Sequence, residues 1–326
     1  MLKNKQIKVG VIVGGTPEER REAVQVGDAV NKSLVKCGYT SLIINLDKNI
    51  IEKLLKNKIN FAFIVDANFT DSRNEYSPEL GNSDLRKILD DLEIPYNSSD
   101  REAAARTKDK IASKNAFIKF GLHTPNYTVY NQWIPLVKEV KRITSILDFP
   151  LIVKPRGEGS SAGVTLVKNS SELIAAIKEL KNKYSDIFIE KFIKGVELTI
   201  PILEMDGIPV PLVVIEVDPS GDFYNYKIKD EGMMQNNIYH IPARINEKFY
   251  QYAQQIAVIA HKSVGCRHYS RVDMIIDSSG KVQVIEINSL PALTTWPVRM
   301  PWLNFDWLIK QIMVNSMRDT KYEKFT

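Results

Sequence analysis

Residues 271–288 read RVDMIIDSSGKVQVIEIN, in which two apolar runs flank the polar turn DSSG at 277–280. This pattern predicts a β-hairpin. Asp273 lies early in the first strand, while Glu286 and Asn288 lie late in the second and, being two residues apart, share a face. Because a hairpin brings its open ends together, we expect the three side chains to converge. Their oxygen atoms suit a hard cation such as Mg²⁺, and a solvated polar strand end is the simpler alternative.

The chain has 326 residues, which is long enough for two or three domains with a sizeable core. Charged residues make up 25% and apolar residues 44%, as is typical of a soluble globular protein. The net charge of +5 is mild and the lysines are scattered along the chain. This distribution favours an anionic substrate such as a nucleotide and gives no indication of a nucleic-acid partner.

Cys37 and Cys266 have neither zinc-site spacing nor the density of a disulfide framework, which favours a reducing compartment. The first six residues are polar and lack the apolar centre of a signal peptide. No apolar run approaches the roughly 20 residues that a membrane span requires. We therefore expect a cytoplasmic protein without a membrane partner.

The N-terminal part alternates strand and helix patterns. Strands are predicted at residues 8–13, 41–46 and 61–65, and a helix runs from the turn at 14–17 to about residue 36. This order is typical of a parallel, doubly wound unit. Thr16 and Glu19 match a capping box around Pro17, and binding of a substrate amine by Glu19 is an alternative that can coexist with the cap. A helix at 84–92 and a short strand at 94–96 precede polar residues 97–100, where we expect a domain boundary.

The rest of the chain predicts a mixture of helices and antiparallel strands. Helices are expected at residues 108–120, 133–147, 170–183, 246–264 and 303–317. Strands are expected at residues 151–155, 164–167 and 187–190, with antiparallel sheet between 197 and 216. Residues 218–237 are polar and contain glycine, so they predict a long loop, which is usually functional or disordered.

A glycine-rich loop, GEGSSAG at residues 157–163, lies between two predicted strands. Glycine permits close backbone approach, and successive N–H groups can cradle phosphate oxygens. Lys154, on the preceding strand, can reach an α- or β-phosphate. A flexible surface hairpin explains this loop equally well.

Residues 189–193 offer an edge of backbone next to a strand that could bind adenine, and Glu197 could hold ribose hydroxyls, although a strand with charged flanks is the favoured alternative. Arg271 shares a strand face with Asp273. Its guanidinium could stabilise an oxyanion or a transferred phosphoryl group, or it could simply pair with Asp273. The histidines form no ligand pattern and are interpreted as surface or packing residues: His123, His240, His261 and His268.

Taken together and in this order, the motifs resemble those of the ATP-grasp superfamily and, within it, the D-alanine–D-alanine ligases. The resemblance covers nearly the whole chain. The matching segments are residues 11–16 with 19–20, 109–110, 152–155 with 158–161, 189–191 with Gly195 and Glu197, 219–221 with Tyr224 and Tyr226, Arg271 with Asp273, and 286–288.

This resemblance implies an α/β protein with α+β lobes: an ATP-grasp fold preceded by a Rossmann-like domain. We expect the N-terminal domain at residues 1–99, a central ATP-grasp lobe at 100–189 and a C-terminal lobe with the metal site at 190–326. The family chemistry uses ATP to convert a carboxylate into an acyl phosphate, which an amine then attacks. The resemblance also implies two Mg²⁺ ions, with Mn²⁺ as a possible substitute, and a homodimer.

The family's functional residues carry over to positions that match its motifs. The nucleotide site would comprise Lys110, Lys154, Glu158, Gly159, Ser161, Glu190, Lys191, Ile193 and Glu197. The metal ligands would be Asp273, Glu286 and Asn288. The residues that act on the substrates would be Arg271, Ser160, Glu19 and Lys229.

Departures from the family concentrate at the substrate end. The His-Gly…Gly-Glu-Asp-Gly segment is missing from residues 66–82, and Lys229-Asp230 stands where the family has Lys-Tyr. Residues 291–294, PALT, replace Pro-Gly-Met-Thr, and Pro297 takes the approximate place of a serine that binds the acceptor carboxylate. We therefore expect a rewritten acceptor pocket formed by Pro291, Ala292, Trp296 and Arg299.

We interpret the chain as an ATP-dependent ligase that joins a carboxylate to an amine, with altered donor and acceptor pockets. Loss of several polar groups that bind the substrate changes substrate preference more than a difference of one methylene in a hydrophobic pocket does. Three alternatives remain open: a genuine D-alanine–D-alanine ligase, a nucleotide-binding sensor without ligation, and an ester-forming enzyme with a hydroxy-acid acceptor.

Overall fold

A computed structural model describes residues 7–15, 20–67, 82–159, 163–218, 238–296 and 300–318, the side chains of 82–84 excepted. The first lobe contains β1 (Lys8–Val13), α1 (Arg20–Lys36), β2 (Thr40–Asn45), α2 (Ile50–Lys56), β3 (Phe61–Ile64) and α3 (Asn82–Asp91). Its strands form a parallel sheet in the order β2-β1-β3. The predicted doubly wound unit is confirmed, while α2 was not predicted.

The polar residues after α3 are buried and connect two sheets through hydrogen bonds. Asn97 and Ser99 are fully buried. The Asn97 side chain accepts a hydrogen bond from the Ile64 amide at 2.6 Å and donates to the Ile64 carbonyl at 3.1 Å. It also donates to the Tyr269 hydroxyl at 3.0 Å, far along the chain. The segment expected to be a domain boundary therefore ties the first sheet to the last one, and polar composition alone did not reveal this.

The second lobe contains α4 (Arg101–Lys108), α5 (Lys110–Lys119), β4 (Tyr127–Val129), α6 (Leu136–Thr144), β5 (Leu151–Pro155), β6 (Thr165–Val167), α7 (Ser170–Leu180) and β7 (Ile187–Lys191). Its sheet is antiparallel in the order β4-β7-β5-β6. The single helix predicted at 108–120 is wrong at its start. Asp109 has extended backbone angles and its carboxylate accepts hydrogen bonds from the Ile111 and Ala112 amides, so it ends α4 and caps α5.

The third lobe contains β8 (Gly195–Met205), β9 (Ile208–Pro211), β10 (Ile215–Asp218), β11 (Ile238–His240), α8 (Glu247–Ser263), β12 (Tyr269–Asp277), β13 (Val282–Asn288) and α9 (Phe305–Met317). Its sheet has the order β11-β10-β8-β12-β13, and β9 pairs with β8. The predicted hairpin is confirmed as β12–β13. Most of the predicted loop at 218–237 lies outside the described residues.

Two cores fix the position of the last sheet. One face packs under α8 through buried residues such as Leu198, Ile200 and Val272. Helix α9 returns to the first lobe, where Leu308 and Ile312 share a core with α1. Covering one face of an antiparallel sheet leaves the other available for polar residues. The hairpin therefore presents its second face away from α8.

Gly195 fixes the start of β8 against β12. A Cβ atom at this position would lie 2.0 Å from the Ile276 carbonyl oxygen. Only glycine allows the two strands to pair as closely as they do at Gly195 and Asp277. None of the helices within the described ranges has the length and apolar character needed to cross a membrane.

Candidate active site

A β-bulge in the hairpin turns two polar side chains out of the core. Asp273 pairs with Glu286, but the next residue, Met274, pairs with Val284, which leaves Ile285 as the extra residue. Val284 and Ile287 both point into the core under α8. Simple alternation would place Glu286 on the face of Val284, and the bulge moves it to the opposite face.

The open face of the sheet gathers the residues predicted for the metal site. Asp273 lies opposite Glu286, and Arg271 lies opposite Asn288 on the neighbouring strand. On the other side of β12, Thr199 lies opposite Asp273 and Glu197 lies opposite Ile275. Since each pair shares a side of the sheet, the five polar side chains lie on one face: Glu197, Arg271, Asp273, Glu286 and Asn288.

Asp273 is held by two neighbours. The Thr199 hydroxyl donates to its Oδ1 at 2.6 Å. The Arg271 guanidinium donates to Oδ1 at 3.1 Å and, through its NH2 group, to Oδ2 at 2.9 Å. The salt bridge considered as an alternative for Arg271 is therefore present, and it does not exclude a further role in chemistry. Thr199 was missed, although its position two residues after Glu197 placed it on the same strand face.

The donor set on this face fits a hard divalent cation. Asp273 and Glu286 supply carboxylate oxygens, and the Glu286 side chain is 38% exposed. The Asn288 side-chain oxygen accepts a hydrogen bond from the Leu290 amide at 2.8 Å. This bond orients the oxygen and leaves its second lone pair available for a cation. Oxygen-only ligands suit Mg²⁺ or Mn²⁺. Thr199 is placed to orient Asp273 as a hydrogen-bonding neighbour of a metal ligand commonly does.

Lys110 joins the glycine-rich loop to the hairpin. Its Nζ lies 3.9 Å from a carboxylate oxygen of Glu286 and also donates to the Glu158 carbonyl. Its backbone amide donates to the Arg156 carbonyl at 3.1 Å. Burial is the largest influence on the Lys110 ammonium and lowers its pKa. The largely buried Lys110 ammonium, between the glycine-rich loop and the Glu286 carboxylate, is suited to binding an anionic ligand.

A second link at the same place was not predicted. Arg156 directly precedes the glycine-rich loop and donates to both Asp109 oxygens, at 2.8 and 2.6 Å. Burial tends to raise the pKa of Asp109, but the Arg156 hydrogen bonds contribute to a pKa below the usual value. A bidentate pair is geometrically specific, so it fixes the residue before the loop beside the start of α5. The available signal was Asp109 directly before Lys110, in a segment interpreted as continuous helix.

The backbone of the expected adenine-binding stretch is partly paired with neighbouring segments. Strand β7 lies between β4 and β5, so it is not an edge. The Lys191 amide donates to the Asn126 carbonyl at 2.8 Å, and the Phe192 amide donates to the Pro150 carbonyl at 3.1 Å. The Lys191 side chain donates to the Asp148 carbonyl at 2.8 Å. The backbone amides of Lys191 and Phe192 therefore already have protein partners.

The Glu190 side chain forms ion pairs with two lysines. It is 3% exposed, and its two oxygens lie 2.5 Å from the Lys154 Nζ and 2.7 Å from the Lys114 Nζ. Lys154 lies in the second lobe and is paired with this buried carboxylate. Lys114 was not singled out from the sequence, because a lysine within a helix is usually solvent-exposed.

The expected acceptor pocket is only partly described. Pro291 is buried and Ala292 is half-buried. Trp296 is 2% exposed and packs edge-to-face on Tyr269, with ring centroids 6.3 Å apart. The Trp296 side chain therefore lies in the core beside Tyr269. Other predicted site residues lie outside the described residues: Glu19, Ser160, Ser161, Lys229 and Arg299.

His240 lies beside two carboxylates, a neighbourhood that the sequence pattern did not indicate. Its ring lies beside Glu216 and Asp218, with ligand atoms within 4.8 Å of one another. Arg244 donates to Glu216 at 2.5 Å and to Asp218 at 3.1 Å, so its guanidinium compensates one of the two carboxylate charges. Buried His261 bonds Ser270 at 2.8 Å, as expected of a packing residue.

Comparison with known proteins identifies the family. Residues 117–313 match the family described as D-ala D-ala ligase C-terminus. A D-alanine–D-alanine ligase of Carboxydothermus hydrogenoformans is 32% identical over 316 residues, covering 94% of this chain and 97% of that protein. The crystal structure of the Bacillus anthracis enzyme has a TM-score of 0.77 and 26% identity, covering 98% and 99% of the two chains.

A second Bacillus anthracis structure, complexed with ATP, has a TM-score of 0.73 at 23% identity, with 97% and 99% coverage, and supports the fold alone. These likenesses span nearly the full length of both chains. They agree with the mixed helix-and-sheet fold described above. The chain belongs to the D-alanine–D-alanine ligase family of the ATP-grasp fold, whose members are ATP-dependent ligases that form C–N bonds.

Proposed function

We propose that this protein uses ATP and Mg²⁺ to activate an amino-acid-like carboxylate as an acyl phosphate and then joins it to an amine, with a substrate pair other than two D-alanines. The observation that carries the chemistry is the single sheet face on which Arg271, Asp273 and Glu286 meet beside Lys110. Such a face combines anionic metal ligands with cations for phosphate.

Each group has a distinct task in this proposal. Lys110 and Lys154, with the glycine-rich loop, bind and orient the polyphosphate. Asp273, Glu286 and Asn288 hold Mg²⁺, which would neutralise phosphate charge when bound. The Arg271 guanidinium stabilises the negative charge that develops on the acyl group as the amine attacks. Glu197 takes the ribose hydroxyls.

The proposal of altered substrates rests on the segment that follows Asn288. Pro291 and Trp296 are buried there, and Trp296 fills core space beside Tyr269. The sequence departures at residues 66–82, 229–230 and 291–297 change groups that would anchor the ends of both amino acids. Since a site built to bind a polar group discriminates strongly against ligands that lack its partner, several changed anchors favour a different pair.

A panel of amino acids tests this proposal. Phosphate release from ATP is measured with D- and L-amino acids and hydroxy acids, singly and in pairs, and product masses are recorded. We expect release that depends on one particular pair and yields an amide. Efficient turnover with D-alanine alone would overturn the altered pockets while keeping ligation. Tight ATP binding without turnover of any pair would favour the nucleotide-sensor alternative.

The product mass also separates amide from ester formation. An amide and an ester of matched acceptors differ in mass and in stability to hydroxylamine, so a hydroxy-acid acceptor would be recognised directly. A homodimer and a cytoplasmic location belong to the same proposal, because both follow from the family resemblance and the sequence composition. Sedimentation of the purified protein at micromolar concentration checks the dimer.

A further inference from the structure

A buried cluster of three charged side chains lies in the second lobe. The Glu190 carboxylate is between two ammonium groups, with Lys154 at 2.5 Å from Oε1 and Lys114 at 2.7 Å from Oε2. The side chains of Lys114, Lys154 and Glu190 are 0%, 6% and 4% exposed. Burying charges is costly unless they are paired. The cluster nevertheless contains one more cation than anion.

Secondary structure places the three groups together. Lys154 on β5 and Glu190 on β7 lie on one face of the sheet, since Glu190 pairs with Ile152, two residues before Lys154. Lys114 lies one turn after Lys110 on α5, so the two lysines share a helix face. Lys110 is the residue that meets the glycine-rich loop and Glu286. The cluster is thus continuous with the phosphate end of the site.

Among the groups around the Lys114 ammonium, Glu190 is the charged partner. Its Nζ donates to the Thr124 hydroxyl at 2.7 Å and lies 5.5 Å from the centre of the Tyr127 ring. Burial lowers the pKa of Lys114 to about 8, although Glu190 acts to raise it. Glu190 Oε2 accepts no well-aligned hydrogen bond in the described residues, so its contact with Lys114 is mainly ionic. The oxygen depends on Lys114 for compensation of its charge.

We propose that Lys114 is a positioning residue for nucleotide phosphate: it engages one oxygen of Glu190, so that Lys154 keeps positive charge for the phosphate. Without Lys114, the Glu190 carboxylate would pair with Lys154 alone and neutralise it. Close charges in a low-dielectric interior interact strongly, so this competition is effective. The inference rests on the proposed function, because it takes Lys154 to bind the polyphosphate.

A double-mutant cycle tests the proposal through binding alone. The dissociation constant for ATP with Mg²⁺, without amino acids, is measured by calorimetry for the full chain and for Lys114→Met, Glu190→Gln and the double variant. We expect Lys114→Met to weaken ATP binding about tenfold, within the range usual for coupled neighbouring charges. We expect the double variant to match Glu190→Gln, because Lys114 acts only through the Glu190 charge.

Adenosine is the matched control ligand because it lacks phosphate. Its dissociation constant should be the same for the wild-type chain and Lys114→Met. Parallel losses for ATP and adenosine would overturn the proposal and assign Lys114 a purely structural role. Unchanged ATP binding by Lys114→Met would also overturn it, whereas failure of the wild-type chain to bind ATP would instead contradict the proposed function.

The test does not depend on folding of the single variant. If Lys114→Met does not fold, Glu190→Gln and the double variant are compared, and their thermal unfolding midpoints show that both are folded. Equal ATP affinities support action through Glu190. A further loss of about tenfold in the double variant would contradict it, because coupling through the carboxylate leaves nothing for Lys114 to do once Glu190 is neutral.

Discussion

Glu286→Gln is expected to lower Mg²⁺-dependent phosphate release by at least about 100-fold, since a bound metal contributes several kcal/mol of charge stabilisation. The substitution keeps the size of the side chain and removes its charge. Glu286 faces Asp273 across the hairpin and lies 3.9 Å from Lys110, so its charge serves both the cation and the phosphate lysine. The measurement is phosphate release at several Mn²⁺ and Mg²⁺ concentrations.

Asp277→Asn is the matched control for Glu286→Gln. It removes one carboxylate from the same hairpin, but at the turn, where Asp277 accepts hydrogen bonds from Ser279 and Lys281 amides. Asparagine keeps an acceptor oxygen at this place. Phosphate release should stay within about twofold of wild type, as for most surface substitutions. Near-normal release by Glu286→Gln at ordinary Mg²⁺ concentration would remove the metal assignment.

Arg271→Met is expected to lower kcat by about 100- to 1,000-fold, the usual cost of removing a group that stabilises a developing oxyanion. The KM for ATP should change by only a few-fold, because Arg271 acts on the acyl group. The alternative is that Arg271 only pairs with Asp273, to which it donates at 2.9 Å. The measurement is the separate determination of kcat and of the KM for ATP with the best amino-acid pair.

The two interpretations of Arg271 differ in metal affinity and in rate. If Arg271 merely neutralises Asp273, its removal frees the carboxylate, so Mn²⁺ should bind more tightly while kcat is retained. Arg271→Lys provides the control, since it keeps the charge and loses the two-pronged geometry of the guanidinium. We expect the lysine variant to recover part of the lost rate. Retained kcat in Arg271→Met would contradict a role in the reaction.

The sequence predicted the hairpin and the convergence of its polar ends because alternation and turn composition are local signals. It did not predict how Glu286 leaves the core. The apolar positions change phase between Val284 and Ile287, and only the bulge at Ile285 reconciles that change with a single buried face. A phase change within a strand was the available signal.

Interactions between distant segments were beyond reach of local patterns. Asn97 resembles a solvated boundary residue until its bond to the Tyr269 hydroxyl is known. Lys114 resembles an exposed helix residue until Glu190 is placed against it. The same limit applies to Trp296, whose burial depends on a core formed by three parts of the chain. For Asn97 and Lys114 the deciding partner lies more than 70 residues away in the sequence.

The central claim is that ATP phosphorylates a carboxylate before an amine attacks it. The most direct measurement uses an amino-acid donor labelled with ¹⁸O in its carboxylate, with the pair that gives the fastest phosphate release. Attack of the donor carboxylate on the γ-phosphorus and later C–O cleavage by the amine transfer one labelled oxygen to phosphate. We predict one ¹⁸O in the phosphate for each amide formed, together with ADP. Unlabelled phosphate, or AMP with pyrophosphate, would contradict the account.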